Sequence, residues 1–272
     1  MTIDELKKKC IREGRSLQWL LTVLAEEEVL SRARAGSFSD RLVVKGGYVL
    51  QSLGKVPAPL LPKLELEVYS SDEDQFLMEI KEERESSYVH IKDVGEASPC
   101  LFALKAMVDG IPVTFYMDIT FREGEPAGGC GCELLRLSGE GEPFPLKYMY
   151  PEAIFMDCFR EVMEKKEILD SMETWYDMFY ISIALSPEGR RLGEYLEDSF
   201  SPDPEDVFGE LKKMKSLSHR WRAFAREYRL PLREFADLAD HLTSVIGPVI
   251  KAAASGEEFF GVWMPELCRY ID

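Results

Sequence analysis

Leu42-Val-Val-Lys-Gly-Gly-Tyr-Val-Leu-Gln-Ser-Leu53 decides how this chain is read. The apolar, β-branched Leu42-Val43-Val44 predicts a short strand. Lys45-Gly46-Gly47 predicts a turn, because glycine takes backbone angles that a Cβ forbids. Tyr48 to Leu53, closed by Gly54, predicts a helix.

Upstream, Leu17, Leu20, Leu21 and Leu24 recur at i, i+3, i+4 and i+7, the apolar stripe of an amphipathic helix, with Ser16 placed to cap it and Gly36 to end it. Downstream, a loop punctuated by Pro57, Pro59 and Pro62 leads into Leu64-Glu65-Leu66-Glu67-Val68. This strict alternation predicts a strand with aliphatics on one face and both glutamates on the other, roughly 7 Å apart at the Cα level. A second alternation spans Ile111 to Phe121. Val113, Phe115, Met117, Ile119 and Phe121 share one face, and Asp118 is the lone acid on the other beside Thr114, Tyr116 and Thr120. Tyr88 to Val94 reads as a further strand. From Pro151 helical periodicity dominates, with turns at Ser186-Pro187, Ser201-Pro202-Asp203-Pro204 and Leu230-Pro231. The expected organisation is an α/β domain over 1–148 and a helical domain over 149–272, with a ligand cleft between them.

The 272 residues suffice for one large or two modest domains, and 46% hydrophobic with 30% charged residues describes a globular chain. No apolar run approaches the roughly 18 residues of a membrane helix, and no signal peptide is expected at the N-terminus. Six scattered cysteines are expected to be free thiols, so the expected location is cytoplasmic. With 33 basic against 49 acidic side chains, the formal charge of −16 repels nucleic acid and acidic membranes except at a local basic patch. No DNA partner and no membrane partner is expected.

A Gly-Gly turn after a strand, two alternate acids on the next strand and one acid on a later strand suit phosphoryl or nucleotidyl transfer. Carboxylates there hold divalent cations, and backbone without Cβ lets a triphosphate approach. Glu65 and Glu67 are equally what the solvent face of an edge strand in an acidic protein would show.

The residues Ser37-Phe-Ser-Asp-Arg-Leu-Val-Val-Lys-Gly-Gly-Tyr-Val-Leu50, after a helix ending in Val29-Leu-Ser-Arg-Ala-Arg34, resemble the opening of the AbiEii-type toxin family. Tyr116-Met-Asp-Ile-Thr-Phe121 is similar to that family's later acidic strand, and Tyr150-Pro151 to the start of its third motif. Trp175-Tyr-Asp-Met-Phe179 and Ser218-His-Arg-Trp-Arg-Ala-Phe224 are similar to two later segments. The resemblance implies a mixed-sheet nucleotidyltransferase-like domain followed by a helical domain. It implies that Lys45, Gly46 and Gly47 bind a nucleoside triphosphate, and that Glu65, Glu67 and Asp118 hold Mg2+. Asp118 and Asp177 would be catalytic, the acceptor RNA or protein, and a separately encoded antitoxin a partner. The sequence departs from the family's pattern where Glu65-Leu-Glu67 replaces Asp-x-Asp and where the Arg and Thr that usually precede that pair are replaced within Leu61-Pro-Lys-Leu64. It departs again where Phe159, Ser171, Glu173 and Thr174 stand near charged family positions, with Arg160 a displaced substitute. Loss of those charges defines the alternative, a catalytically degenerate member that binds a nucleotide or a partner.

Cys130-Gly-Cys132 is read as a loop with two ordinary thiols, since nothing completes a tetrahedral set. His90, His219 and His241 stand alone. The run Lys212, Lys213, Lys215, Arg220, Arg222, Arg226, Arg229, Arg233, interleaved with Trp221, Phe224 and Tyr228, is the one basic patch that would attract RNA. Its helical spacing favours a solvated face with Trp221 and Phe224 packed inward.

Overall fold

The structure, a computed structural model, describes residues 3–54, 56–82, 88–126, 130–139, 141–165, 172–196 and 207–271. Ser171 and the Ser201–Pro204 turn lie outside the described residues. The chain forms two compact units, Met1–Leu53 with Leu61–Met149, and Gly54–Leu60 with Tyr150–Asp272.

The first unit runs α1 (Ile3–Glu13), α2 (Leu17–Ala35), β1 (Leu42–Lys45), α3 (Gly47–Leu53), β2 (Glu65–Val68), α4 (Glu73–Lys81), β3 (Val89–Ser98), β4 (Leu101–Val108), β5 (Ile111–Phe121), β6 (Cys130–Gly131) and β7 (Lys147–Met149). The strands form one mixed sheet in the order β3-β4-β5-β2-β1-β7-β6. β3, β4 and β5 are an antiparallel meander, β2 runs parallel to β5, and β1 is antiparallel to β2 and parallel to β7. The β4–β5 turn is Asp109-Gly110, with φ of 47° and 80°, the left-handed pair a two-residue hairpin requires.

Val113, Phe115, Met117 and Ile119 of β5 are buried with Leu66 and Val68 of β2 and Leu42 and Val44 of β1, on the face that α2 covers. Burying each such side chain stabilises the fold by roughly 1.5–3 kcal/mol. Ser16 caps α2 by accepting the Trp19 N–H at 3.0 Å. Gly36 ends the helix in extended rather than left-handed backbone. Its missing Cβ leaves room for the Glu79 carboxylate, which accepts from the Ser37 N–H and hydroxyl. The Leu17–Leu24 stripe predicts a half-exposed helix, yet Thr22, Glu26, Glu27 and Arg32 are buried as well, because α1 and α4 pack against α2 in addition to the sheet.

The second unit contains α5 (Pro151–Lys165), α6 (Glu173–Ala184), α7 (Gly189–Glu194), α8 (Gly209–Lys212), α9 (Lys215–Glu227) and α10 (Phe235–Ala254), then a hairpin of β8 (Val262–Met264) and β9 (Arg269–Ile271). Trp175, Trp221 and Trp263 are fully buried, the last donating its Nε1–H to the Ser182 carbonyl at 2.7 Å. The helical region is as expected, and the closing hairpin is an addition to it. No helix among the described residues is long and apolar enough to cross a membrane.

Candidate functional site

Strand register places the acids. Lys45 lies opposite Glu65 and Glu65 opposite Asp118, so the three occupy one rung across β1, β2 and β5. Glu67 lies one step further on, opposite Val43 and Thr120. Alternation along each strand puts all of them on the sheet face turned away from α2, together with the exposed Tyr116.

Basic side chains meet every one of these carboxylates. Lys63, just before β2, places its Nζ 2.6 Å from Asp118 Oδ2 and 3.5 Å from Glu65 Oε1. Glu67 Oε1 accepts from Lys45 Nζ at 3.1 Å and from Arg122 Nη2 at 3.0 Å, while its Oε2 accepts the Tyr69 hydroxyl at 3.1 Å. Burial works to raise the Glu67 pKa, but Lys45, Arg122 and Tyr69 outweigh it and hold the carboxyl below the usual range. Glu65 goes the other way. Burial and the neighbouring Asp118 raise its pKa against the opposing pull of Lys63 and Lys45.

The two glycines are fitted to this same corner. Gly46 has a φ of 75°, and a Cβ there would lie 2.7 Å from the Glu65 Cδ. A Cβ on Gly47 would lie 3.1 Å from the Lys63 backbone nitrogen, and the Tyr48 N–H donates to the Lys63 carbonyl at 3.1 Å. The missing Cβ of each glycine therefore faces the entry into β2, Gly46 toward Glu65 and Gly47 toward Lys63.

Mg2+ does not fit the residues as they stand. Both oxygens of Glu67 are engaged, Glu65 and Asp118 share Lys63, and among the described residues no group of three or more His, Cys, Asp or Glu side chains is arranged to hold a metal ion. A divalent cation would have to displace an ammonium first.

Asp177 is half-buried on α6, in the second unit. Near it in sequence, Glu173 is exposed and Thr174 donates to Glu161 at 3.2 Å. Phe159 is a core residue of α5, edge-on to Phe208, and Arg160 is paired with Asp157 at 2.9 Å. In the basic run, Trp221 is buried with its indole N–H on the Leu232 carbonyl. Phe224 is only half-buried, between Trp221 and Tyr228, and Arg222 pairs with Glu234. All six cysteines are free. His241 contacts the buried Ser182 at 2.7 Å; because Ser182 donates to the Phe179 carbonyl, the Nε2 proton of His241 is assigned as the donor of that bond.

Lys63 and Arg122 are partners of these acids that strand reading passed over. Both continue the polar alternation, Lys63 with Glu65 and Glu67, and Arg122 with Asp118 and Thr120, so the signal lay in extending each pattern past the strand end.

No protein-family model matches the chain, and no curated protein matches its sequence. The structure is similar to the crystal structure of JHP933 from Helicobacter pylori, at a TM-score of 0.56 and 12% identity over 89% of this chain and 97% of that one. This chain shares that protein's fold. A structure of ANT(2'')-Ia in complex with adenylyl-2''-tobramycin matches 58% of this chain and 86% of its own at 15% identity and a TM-score of only 0.37. A solution structure of the antibiotic-resistance factor ANT(2'')-Ia matches 58% of this chain and 80% of its own at 13% identity and 0.35.

Proposed function

We propose that this chain is a nucleotidyltransferase-fold protein, of the AbiEii-type its sequence resembles, whose charged sheet face binds the phosphates of a nucleoside triphosphate without carrying out metal-dependent transfer. The observation that carries this reading is the pairing of all three strand carboxylates with Lys45, Lys63 and Arg122. A carboxylate committed to an ammonium is a poor metal ligand, and the ammonium that commits it is a phosphate ligand. Lys45, Gly46 and Gly47 would line the phosphates, with Lys63 and Arg122 beside them. Phe159, Glu173 and Thr174 add no cation to stabilise a transferring group.

Calorimetry with the four nucleoside triphosphates, with and without magnesium, tests the binding. Incubation of labelled nucleotides with total RNA, and with the protein itself, tests the chemistry. Binding is expected without labelling. Magnesium-dependent labelling of either acceptor, abolished by Asp118→Asn, would establish an active transferase instead.

A further inference from the structure

We infer that Lys63 is the resident cation of the Glu65–Asp118 pair, its ammonium holding the place that a divalent metal would need, so that phosphates are bound there free of metal. The inference deepens the proposed function and rests on it for the identity of the ligand.

Glu65 and Asp118 face the same side from directly paired positions on neighbouring strands, roughly 4.8 Å apart in the sheet. Two like charges at that spacing repel unless a cation bridges them. Lys63 supplies one, contacting both carboxylates from a side chain that stays 42% exposed. The same holds across this cluster. Glu65, Glu67 and Asp118 meet Lys45, Lys63 and Arg122, and the three carboxylates are paired before any ligand arrives. An acidic face lacking such bases attracts divalent ions. This one instead offers ammonium and guanidinium donors, which suit the oxygens of an uncomplexed polyphosphate.

Mn2+ is the probe, titrated into the full chain at pH 7 and followed by its paramagnetic resonance signal. The unmodified protein is expected to show no specific Mn2+ site. Lys63→Met keeps the length of the side chain without its charge and is expected to bind Mn2+ at least about tenfold more tightly, an affinity lost again on adding Asp118→Asn. Lys63→Gln repeats the test should the Met variant fold poorly. Two results overturn the inference: Mn2+ binding by the unmodified protein as tight as in Lys63→Met and lost with Asp118→Asn, or no gain in either Lys63 variant. In a second arm, triphosphate binding by the unmodified protein is expected to persist in EDTA. It is expected to weaken about tenfold in Lys63→Met and to recover when Mn2+ is supplied. Failure of every triphosphate to bind under all conditions would overturn the proposed function, and with it the phosphate half of this inference, while the Mn2+ titration by itself decides the role of Lys63.

Discussion

Glu67 on β2 and Glu27 on α2 are buried to the same extent, each 4% exposed, yet their carboxyls are driven in opposite directions. Glu67 touches two full positive charges within 3.1 Å and is held ionised. Glu27 is raised by burial because its closest partners are the neutral Ser138 N–H and hydroxyl, at 2.8 and 2.7 Å, with Arg136 further off at 3.5 Å. Its neighbour Glu26 is fully buried, and burial followed by the proximity of Glu27 raises its pKa well above the usual range, only partly offset by the backbone of Leu64. Depth alone does not decide the charge of these acids. Full charges at contact distance do.

The largest expected effect is at Glu67. Glu67→Ala leaves Lys45, itself largely buried, without its closest anion, and should cost about 3 kcal/mol in urea unfolding; a loss below about 1 kcal/mol would mean that the pairs of Glu67 contribute little. Its contribution should be present above the ordinary carboxyl pKa of 4.5 and disappear as pH falls through the lowered folded value.

Next in size is Gly46→Ala, expected to cost about 2 kcal/mol from a left-handed backbone and the approach to Glu65 together. Combining it with Glu65→Ala should recover the steric part and leave the backbone part, and full recovery would show that the φ of 75° is unstrained. Smaller again is Glu26→Gln, which removes an ionisable group from a site that disfavours its charge. It should stabilise by about 1 kcal/mol at pH 8 and fade toward pH 4.5. The sign follows because the folded state holds the proton, so stability due to a raised acid is lost as pH rises. Equal behaviour of Glu26→Gln and Glu67→Gln against pH would erase the contrast between the two helix and strand sites.

His241 gives the smallest effect and the control for sign. Burial lowers its pKa below 6.5, so its contribution should be complete above that pH and decline as pH falls, and thermal melts of His241→Gln should lose that slope.

Much of this was legible in sequence. The β1 turn into α3, β2 and the full length of β5 follow from local alternation and a glycine pair. β4 was not, because its outward Leu101, Ala103 and Met107 are as apolar as its inward Phe102, Leu104 and Ala106, which leaves no period of two to see. The breadth of burial of α2 was hidden too, since it depends on α1 and α4 arriving from elsewhere in the chain. Within the site, the acids could be assigned to one face by parity, but their neutralisation could not. Lys63 sits in a proline-punctuated loop and Arg122 beyond the last paired residue of β5, where only pairing across strands shows what each one reaches.

The order of the sheet also sets a sequence of events in time. β3, β4 and β5 follow one another through two-residue turns, so their pairing closes short loops and should form early. The partners of the charged face are joined across far longer stretches, Glu65 to Asp118 and Val43 to Lys147. Loop closure of that length comes late and at greater entropic cost. During refolding, amide protection should therefore appear in the meander before it appears in β1 and β2, and the ion pairs of the charged face should be among the last contacts made.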